Sequence, residues 1–342
     1  MDNGVNNKLV LNAVAGSGKT SYIIEQLNET KRSLIITYTT ANQENLKEKV
    51  IKKFGYIPSN IFIYGYFEFL LKFIIKPLCP FAVKDICFEI PQNYRYQNPF
   101  TKNKKKIFAN KMAKYILENL FDFKTRMDRY FDVIYIDEMQ DLASDDFKWM
   151  LSLSDLKIPV ILVGDFFQST FASSRRGNHL KNLYKDFSTY KKLIEKAGFD
   201  FDTTTLKNSH RCTPTVCSFI KEKIGIDIES ENNRTSEIGL ITDSDAIKHM
   251  LENNKIKKLF YKNSKKFDVN GDNWGNSKGM TFDHVCIVLN DTTYKKFDKN
   301  ELSELAPQTL CKFYVACTRT SGNLWFIKEK DIPTDFRRFQ LC

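Results

Sequence analysis

The stretch Lys8-Leu-Val-Leu-Asn-Ala-Val-Ala-Gly-Ser-Gly-Lys-Thr20 joins a short apolar run to a glycine-rich loop that ends in Gly-Lys-Thr. It follows the phosphate-binding pattern G-x-x-x-x-G-K-[ST], with alanine in the first position. The two glycines let backbone N–H groups turn toward a polyphosphate, the lysine supplies positive charge, and the threonine hydroxyl can ligate Mg²⁺. The stretch therefore predicts a nucleoside triphosphate site between a strand and a helix. The predicted nucleotide-binding residues are Ala13, Val14, Ala15, Gly16, Ser17, Gly18, Lys19 and Thr20.

Length and patterning around this loop indicate an α/β protein with parallel sheets covered by helices. The 342 residues are enough for two domains, and short β-type runs alternate with helical stretches. The apolar stretch 61–78 predicts a buried helix. Two less regular stretches, 91–106 with its lysine run and 226–237, predict a small basic insertion and a loop. The β-type runs are residues 9–14, 33–39, 133–136, 160–163, 285–289 and 324–327.

The charge balance indicates an anionic partner, because the formal net charge is +11. Nucleic acid is the first candidate, and a lysine-rich solvated surface is the alternative. The eight cysteines form no C-x-x-C pair and are expected to be free thiols in a reducing compartment. The start of the chain has no signal-peptide pattern, and no run is long and apolar enough for a membrane helix. These features predict a cytoplasmic protein without a membrane partner.

Two further strands end in residues suited to phosphoryl transfer. The run 131–136 leads into Asp137 and Glu138, where ligands of open α/β sheets are expected. Asp137 is placed to hold Mg²⁺ through water, and Glu138 to orient and deprotonate the attacking water. The run 158–163 leads to Gln168, whose amide both donates and accepts hydrogen bonds and can contact the γ-phosphate or the water.

Taken together, these stretches resemble superfamily 1 helicases of the UvrD/Rep/PcrA type. The likeness extends along the chain in the order of that family's motifs, so it does not depend on the phosphate-binding loop alone. The further matching segments are Thr37-Tyr38-Thr39-Thr40 (motif Ia), Tyr64-Gly65-Tyr66-Phe67 (motif Ib), Ser209-His210-Arg211-Cys212 (motif IV), Ser277-Lys278-Gly279-Met280-Thr281 (motif V) and Tyr314-Val315-Ala316-Cys317-Thr318-Arg319 (motif VI).

The resemblance implies two RecA-like domains with ATP in the cleft between them, approximately residues 1–200 and 201–342. A reduced insertion is expected near residues 75–130. Arg211 and Arg319 are implied as arginine fingers that stabilise the transferring phosphoryl group. His210 occupies the position of an aromatic residue that stacks on adenine.

The resemblance also implies single-stranded DNA binding by base stacking and phosphate contacts. The tryptophan that stacks on a base in the family aligns with Ser173, so part of that contact is expected to be missing or supplied by Phe171. The implied DNA-binding residues are Tyr38, Thr39, Tyr64, Tyr66, Lys278 and Thr281.

The short intervals between motifs predict that the accessory domains of UvrD-type helicases are reduced or absent. This compact form is similar to the UvrD-like helicase subunit of Gabija-type antiphage systems. The preferred interpretation is a DNA-dependent ATPase that uses Mg²⁺ and moves along, or unwinds, DNA. The alternative is a nucleotide- and DNA-sensing subunit of a nuclease-containing defence complex. RNA as the track stays open, because backbone and stacking contacts do not reject a 2′-hydroxyl.

Overall fold

The computed structural model describes residues 7–89, 98–170 and 183–338. Within these ranges, no helix combines the length and the apolar character needed to cross a bilayer. Phe171 and Ser173, considered above as base-stacking positions, lie outside the described residues. The chain divides into two compact units: the first holds residues 1–12, 19–164 and 171–203, and the second holds 13–18, 165–170 and 204–342.

The first unit is built on a six-stranded parallel sheet with strand order β3-β2-β6-β7-β1-β8 and a separate parallel pair, β4 and β5. Residues on β2 and β6 are buried throughout, as expected for a parallel sheet that is covered on both faces. Its strands are β1 (Lys8–Asn12), β2 (Ser33–Thr37), β3 (Ile61–Gly65), β4 (Asp85–Cys87), β5 (Lys106–Phe108), β6 (Val133–Asp137), β7 (Val160–Gly164) and β8 (Asp200–Asp202).

The second helix of the first unit, α2 (Thr40–Phe54), begins and ends at residues with suitable capping chemistry. The Thr39 hydroxyl accepts a hydrogen bond from the backbone of Asn42 at the start of α2, and Gly55 ends that helix with a positive φ of 83°. The helices are α1 (Lys19–Gln26), α2 (Thr40–Phe54), α3 (Tyr66–Phe69), α4 (Lys76–Leu78), α5 (Met112–Asn119), α6 (Phe123–Tyr130), α7 (Asp145–Leu151) and α8 (Phe187–Lys196). A π-helical turn, Leu70–Ile75, joins α3 to α4, and 3₁₀ turns lie at Ala109–Lys111, Met139–Asp141, Ser152–Asp155 and Leu183–Lys185.

The expectation of one buried helix over residues 61–78 is wrong for its first part. Ile61–Gly65 forms β3, which pairs in parallel with β2, and the helix begins only at Tyr66. Isoleucine and aromatic residues favour a pleated strand, and a continuous apolar run does not distinguish a strand from a helix. Residues 66–78 are helical, with the π-helical turn in the middle.

The second unit is built on a five-stranded parallel sheet with strand order β11-β15-β14-β12-β13, together with the parallel pair β9 and β10. Its strands are β9 (Asn208–Ser209), β10 (Glu229–Ser230), β11 (Ile238–Leu240), β12 (Ile256–Phe260), β13 (Gly271–Asn273), β14 (His284–Leu289) and β15 (Leu324–Lys328). Its helices are α9 (Pro214–Phe219), α10 (Ser244–Glu252), α11 (Asp291–Asp298) and α12 (Pro307–Cys317). A π-helical turn lies at Ile220–Ile224, and 3₁₀ turns lie at Phe166–Gln168, Ser264–Lys266, Trp274–Ser277, Leu302–Glu304, Glu329–Asp331 and Thr334–Phe336.

Aromatic packing fixes α12 against the second sheet. Trp274 is fully buried, its indole N–H donates to the Leu259 carbonyl at 2.9 Å, and its ring meets Phe313 of α12 edge to face.

The α/β fold class with mainly parallel sheets is confirmed in both units. The cysteines that the structure describes are all free thiols.

Candidate nucleotide and nucleic-acid sites

The residues predicted to act on a nucleotide follow three neighbouring strands of the first sheet. In the register of the parallel ladders, Asn12 of β1 lies opposite Gly164 of β7, and Val163 lies opposite Asp137 of β6. Because these strands are parallel, their carboxyl ends meet at one edge of the sheet. The phosphate-binding loop follows β1, Glu138 follows β6, and Asp165 follows β7.

The phosphate-binding loop packs against the segment that contains Arg211. Gly16 has a positive φ of 76°, and a Cβ at this position would lie 2.7 Å from both the Arg211 Cβ and the Ser209 Oγ. The His210 amide donates to the Gly16 carbonyl at 3.0 Å. Gly16 is therefore required for its backbone conformation and for this close approach. The structure brings the loop, His210 and Arg211 together.

Asp137 lies at the end of β6 and is almost fully buried, where it accepts a 3.1 Å hydrogen bond from the Thr20 hydroxyl. Burial raises the pKa of Asp137 to about 7 and the neighbouring Glu138 adds to the rise, whereas Lys19 and Thr20 oppose it. A divalent cation at this point would stabilise the ionised carboxylate. The hydroxyl and carboxylate oxygens form a donor set that fits Mg²⁺, which prefers oxygen ligands.

Glu138 adopts a left-handed backbone conformation, with φ 57° and ψ 44°, which is uncommon for a non-glycine residue. Its amide donates to the Asp137 carboxylate at 3.0 Å, and its own carboxylate accepts a short hydrogen bond from the Gln140 side chain. Gly164 makes room for this arrangement, because a Cβ there would lie 2.4 Å from the Gln140 Oε1. Such strain is often found at functional sites, where the surrounding structure stabilises it.

Asp165 connects Gln168 to the phosphate-binding loop through Tyr314. Gln168 Nε2 donates to Asp165 Oδ2 at 2.9 Å, and the Tyr314 hydroxyl donates to the same oxygen at 3.1 Å. The Ala15 amide in turn donates to the Tyr314 hydroxyl at 2.9 Å. Burial and the Asp165 charge raise the pKa of Tyr314 well above its usual value, so its phenol stays protonated and can donate. Sequence reasoning did not assign a role to Tyr314 or Asp165.

The two predicted arginine fingers lie beside the same backbone segment but differ in exposure. Arg211 is half-buried, and its Nη1 donates to the Thr318 carbonyl at 3.2 Å. Arg319 is only 1% exposed, and its guanidinium donates to the Val315 carbonyl at 2.9 Å and to the Thr318 hydroxyl at 3.2 Å. A further hydrogen bond reaches the Met280 carbonyl at 3.4 Å. Arg211 is thus the better placed of the two to reach a ligand directly.

Arg211, Gly16 and His210 line a cavity of about 630 Å³ in the second unit. Glu231, which sequence reasoning missed, holds His210 through a 2.9 Å contact to its Nδ1. Thr281 lines the same cavity, although the resemblance assigned it to DNA. The remaining lining residues are Asn232, Asn233, Arg234, Asp283 and Ser321.

The predicted nucleic-acid residues of the first unit lie at the carboxyl ends of the neighbouring strands β2 and β3. Tyr38 and Tyr64 are half-buried, and the Thr39 hydroxyl caps α2 by accepting a hydrogen bond from the Asn42 amide. The expectation that Tyr66 presents its ring to bases is wrong. The Tyr66 side chain is 1% exposed, and its hydroxyl donates to Asp146 at 2.9 Å, so it belongs to the core. Lys278 belongs to the second unit and is half-buried beside Gly279, which has a positive φ of 85°.

Several solved helicase structures are similar to this chain at low sequence identity. Arterivirus nonstructural protein 10 (helicase) is 15% identical over 97% of this chain and 62% of its own, with a TM-score of 0.49. The PRRSV helicase is 14% identical over 98% of this chain and 56% of its own, with a TM-score of 0.49. The complex of arterivirus nonstructural protein 10 with DNA is 15% identical over 97% of this chain and 63% of its own, with a TM-score of 0.50. The chain thus spans about three fifths of the length of these helicases, and the last of these likenesses supports the fold alone.

No curated protein sequence matches the chain. The family model described as the viral superfamily 1 RNA helicase core domain matches residues 100–328, which is more than half of the chain. The superfamily 1 assignment made from the motifs is thereby confirmed. The chain belongs to the viral superfamily 1 RNA helicase core domain family.

Proposed function

We propose that this protein hydrolyses ATP to ADP and phosphate and uses the reaction to move along, or unwind, single-stranded or partly duplex nucleic acid. The observation that carries the proposal is the buried Asp137 carboxylate, hydrogen-bonded to the Thr20 hydroxyl and followed directly by Glu138. This combination would provide an Mg²⁺ position and an adjacent base at the end of one strand. Family membership supports the motor part of the proposal.

In the proposed reaction, water attacks the γ-phosphorus of ATP in line with the bond to the β-phosphate oxygen. Glu138 accepts the proton of the water, the bond from the γ-phosphorus to that oxygen breaks, and ADP leaves with the electron pair. Lys19 and Arg211 stabilise the charge on the phosphoryl oxygens. Mg²⁺ held by Thr20 and Asp137 would neutralise the β- and γ-phosphate oxygens. Residues 13–18 of the phosphate-binding loop are followed directly by Lys19 in the sequence, so we assign all of them to the same nucleotide.

The hydrogen bonds of Asp165 offer a way to report the state of the nucleotide. Ala15 belongs to the loop that would surround the phosphates, and its amide is bound by Tyr314. Tyr314 and Gln168 share one oxygen of Asp165. A shift of the loop after phosphate release would change the Tyr314 hydrogen bonds and, through Asp165, the position of Gln168.

We further propose that the two RecA-like domains are residues 1–200 and 201–342, and that the track is single-stranded DNA. The resemblance to UvrD-type motifs supports DNA as the track. The contacts would come from Tyr38, Tyr64, Thr39 and Lys278. The description of the matched family as RNA helicases supports RNA as the alternative track. For either track, binding by base stacking and phosphate contacts predicts that strand affinity depends little on base sequence.

Steady-state ATP and GTP hydrolysis tests the proposal when it is measured alone and with single-stranded DNA, single-stranded RNA or duplex DNA at two salt concentrations. We expect single strands to stimulate hydrolysis more than blunt duplex does. The stimulation should weaken at high salt, because strand binding releases counterions. The more effective polymer identifies the track. Hydrolysis that no nucleic acid stimulates would contradict the motor function, and a lack of hydrolysis with every nucleotide would contradict the enzyme assignment.

The ring of Tyr38 is expected to contribute to strand binding. Tyr38→Ala should weaken binding of labelled oligonucleotides about tenfold, since base stacking contributes roughly 1–3 kcal/mol per ring. Tyr38→Phe keeps the ring and should bind like the parent protein. Fluorescence anisotropy at several salt concentrations measures both the affinity and its salt dependence, which should be unchanged because no cation is removed.

The matched control is Tyr56→Ala, which removes an exposed ring that is hydrogen-bonded only to Glu29 in the described residues. It should leave strand affinity unchanged. Equal weakening in Tyr38→Ala and Tyr56→Ala, or a weakening in Tyr38→Phe as large as in Tyr38→Ala, would exclude Tyr38 as a stacking residue.

A second candidate function is a nucleotide- and DNA-sensing subunit of a nuclease-containing antiphage complex. The burial of Arg319 among backbone carbonyls favours it, because a finger held in this way gives slow hydrolysis. Hydrolysis that stays slow with every polymer, together with tight nucleotide and DNA binding, would support this alternative.

A further inference from the structure

The insertion of the first unit contains a second cavity, of about 590 Å³, lined by aromatic rings and lysines. The residues that carry the argument are Phe81, Phe100, Lys104, Lys111, Lys114 and Tyr115. These residues belong to no superfamily 1 motif and have no part in the proposed hydrolysis. The cavity therefore needs a separate explanation.

One wall of the cavity is a face of α5 and the residue before it. Lys111, Lys114, Tyr115 and Glu118 follow one another at helical spacing, so they project on the same side. The rest of the lining comes from Phe81 and from the segment that contains Phe100 and Lys104. The cavity thus has side chains from three separate segments of the insertion.

The aromatic residues form a connected cluster. The rings of Phe81 and Phe100 meet edge to face with centroids 4.8 Å apart, and Phe100 meets Tyr115 in the same way at 4.8 Å. Phe100 is buried, whereas Phe81 and Tyr115 are half-buried and line the cavity. Edge-to-face packing holds each ring in place, which favours a defined surface for a planar ligand.

Lys104 is held over this cluster by a tight turn. Its backbone has a positive φ of 55°, which is uncommon for lysine, and its amide donates to the Thr101 carbonyl at 2.7 Å. The Asn103 side chain accepts hydrogen bonds from the Thr101 hydroxyl and from the Lys105 amide. The Lys104 ammonium lies 5.4 Å from the centre of the Phe81 ring. The turn therefore fixes a cation beside an aromatic face.

The charges of the cavity are mostly positive. Glu118 also lines it and pairs with Lys114 at 3.7 Å. Lys111 is half-buried and forms no ion pair with any carboxylate of residues 7–89, 98–170 and 183–338. Lys104 and Lys111 thus remain as two cations that an anionic ligand can neutralise.

We propose that this cavity binds one nucleotide of a single-stranded nucleic acid, with its base against Phe81 and its phosphates beside Lys104 and Lys111. Base stacking on aromatic rings next to a cationic groove is the usual chemistry of strand binding without sequence preference. The inference goes beyond the proposed ATPase, because it assigns a second nucleic-acid contact on the insertion. It depends on the proposed function only for the class of ligand.

The test compares two charge-matched double variants by fluorescence anisotropy with labelled oligothymidine and oligouridine. Lys104→Gln with Lys111→Gln removes the two cavity cations other than Lys114, which pairs with Glu118. Lys102→Gln with Lys105→Gln removes two exposed cations of the same lysine run that do not line the cavity. We expect the cavity variant to bind at least about tenfold more weakly and the control within about twofold. The salt slope of the cavity variant should fall by about 0.7 for each phosphate that the protein no longer neutralises.

A second variant and a crosslink test the aromatic part. Phe81→Leu should weaken strand binding while leaving the salt slope unchanged, because it removes a ring and no charge. Photocrosslinking with an oligonucleotide that contains 5-iodouridine should label peptides from residues 79–89 or 98–119, and excess mononucleotide should not compete as well as the oligonucleotide.

Equally weakened strand binding in the two double variants would overturn the proposal, because the loss would then depend on the overall charge of the protein and not on the cavity. Crosslinks found only outside the insertion would overturn it as well, as would a mononucleotide that competes as well as the strand. ATP hydrolysis without nucleic acid should be the same in all variants, and thermal unfolding confirms that they fold. A protein that binds strands here yet hydrolyses no ATP would contradict the proposed function and leave this site intact.

Discussion

Arg211→Ala is expected to reduce ATP hydrolysis by on the order of 10³-fold or more while nucleotide binding changes little. Arg211 lines the cavity with Gly16, and its Cβ lies within 2.7 Å of the position that a Gly16 Cβ would take. A guanidinium at this position can stabilise the charge that develops on the transferring phosphoryl group. Single-turnover phosphate release measures the chemical step, and a fluorescent ATP analogue measures binding.

The matched variant is Arg319→Ala, which removes a buried guanidinium instead of a half-buried one. It takes away the hydrogen bonds that this guanidinium donates to the Val315 and Met280 carbonyls and should therefore lower the unfolding temperature as well as the rate. Arg211→Lys keeps the charge but not the planar fork, so it should recover only part of the rate. A rate for Arg211→Ala within tenfold of the parent would show that Arg211 is not an arginine finger.

The positions of the main catalytic candidates could be predicted because they depend on local sequence. An apolar run that ends in Asp137 and Glu138 becomes β6 followed by a turn, and the loop after β1 has the glycines that its conformation requires. In a parallel sheet, the ends of such strands meet at one edge whatever the rest of the chain does. The local sequence pattern and the fold class were therefore sufficient to predict where these residues lie in the fold.

The role of Tyr314 could not be predicted, because its two partners lie far away in sequence. Ala15 is 299 residues from Tyr314, and Asp165 is 149 residues from it. The burial of Tyr66 was missed for the same physical reason. A motif identifies a residue type and its position on an element, whereas the direction of the side chain depends on neighbours such as Asp146, 80 residues from Tyr66.

Glu138→Gln and Lys19→Ala should separate catalysis from binding. Glu138→Gln should lower the hydrolysis rate by about 10²–10⁴-fold, the range typical of a positioned acid or base, and keep nucleotide affinity. The amide is of nearly the same size, so the backbone hydrogen bond from residue 138 to Asp137 can remain. Phosphate release gives the rate, and fluorescent ATP titration gives the dissociation constant.

Lys19→Ala should instead weaken nucleotide binding, for two reasons. The positive charge that would contact the phosphates is removed, and the pKa of Asp137, which Lys19 lowers, should rise further above its already raised value. A neutral Asp137 is a poorer Mg²⁺ ligand, so the Mg²⁺ concentration needed for nucleotide binding should increase, and it should increase more at pH 6 than at pH 8. A Glu138→Gln protein that hydrolyses ATP at the parental rate would remove Glu138 from the role of base. Nucleotide affinity that is unchanged in Lys19→Ala would contradict the phosphate-binding assignment of the loop.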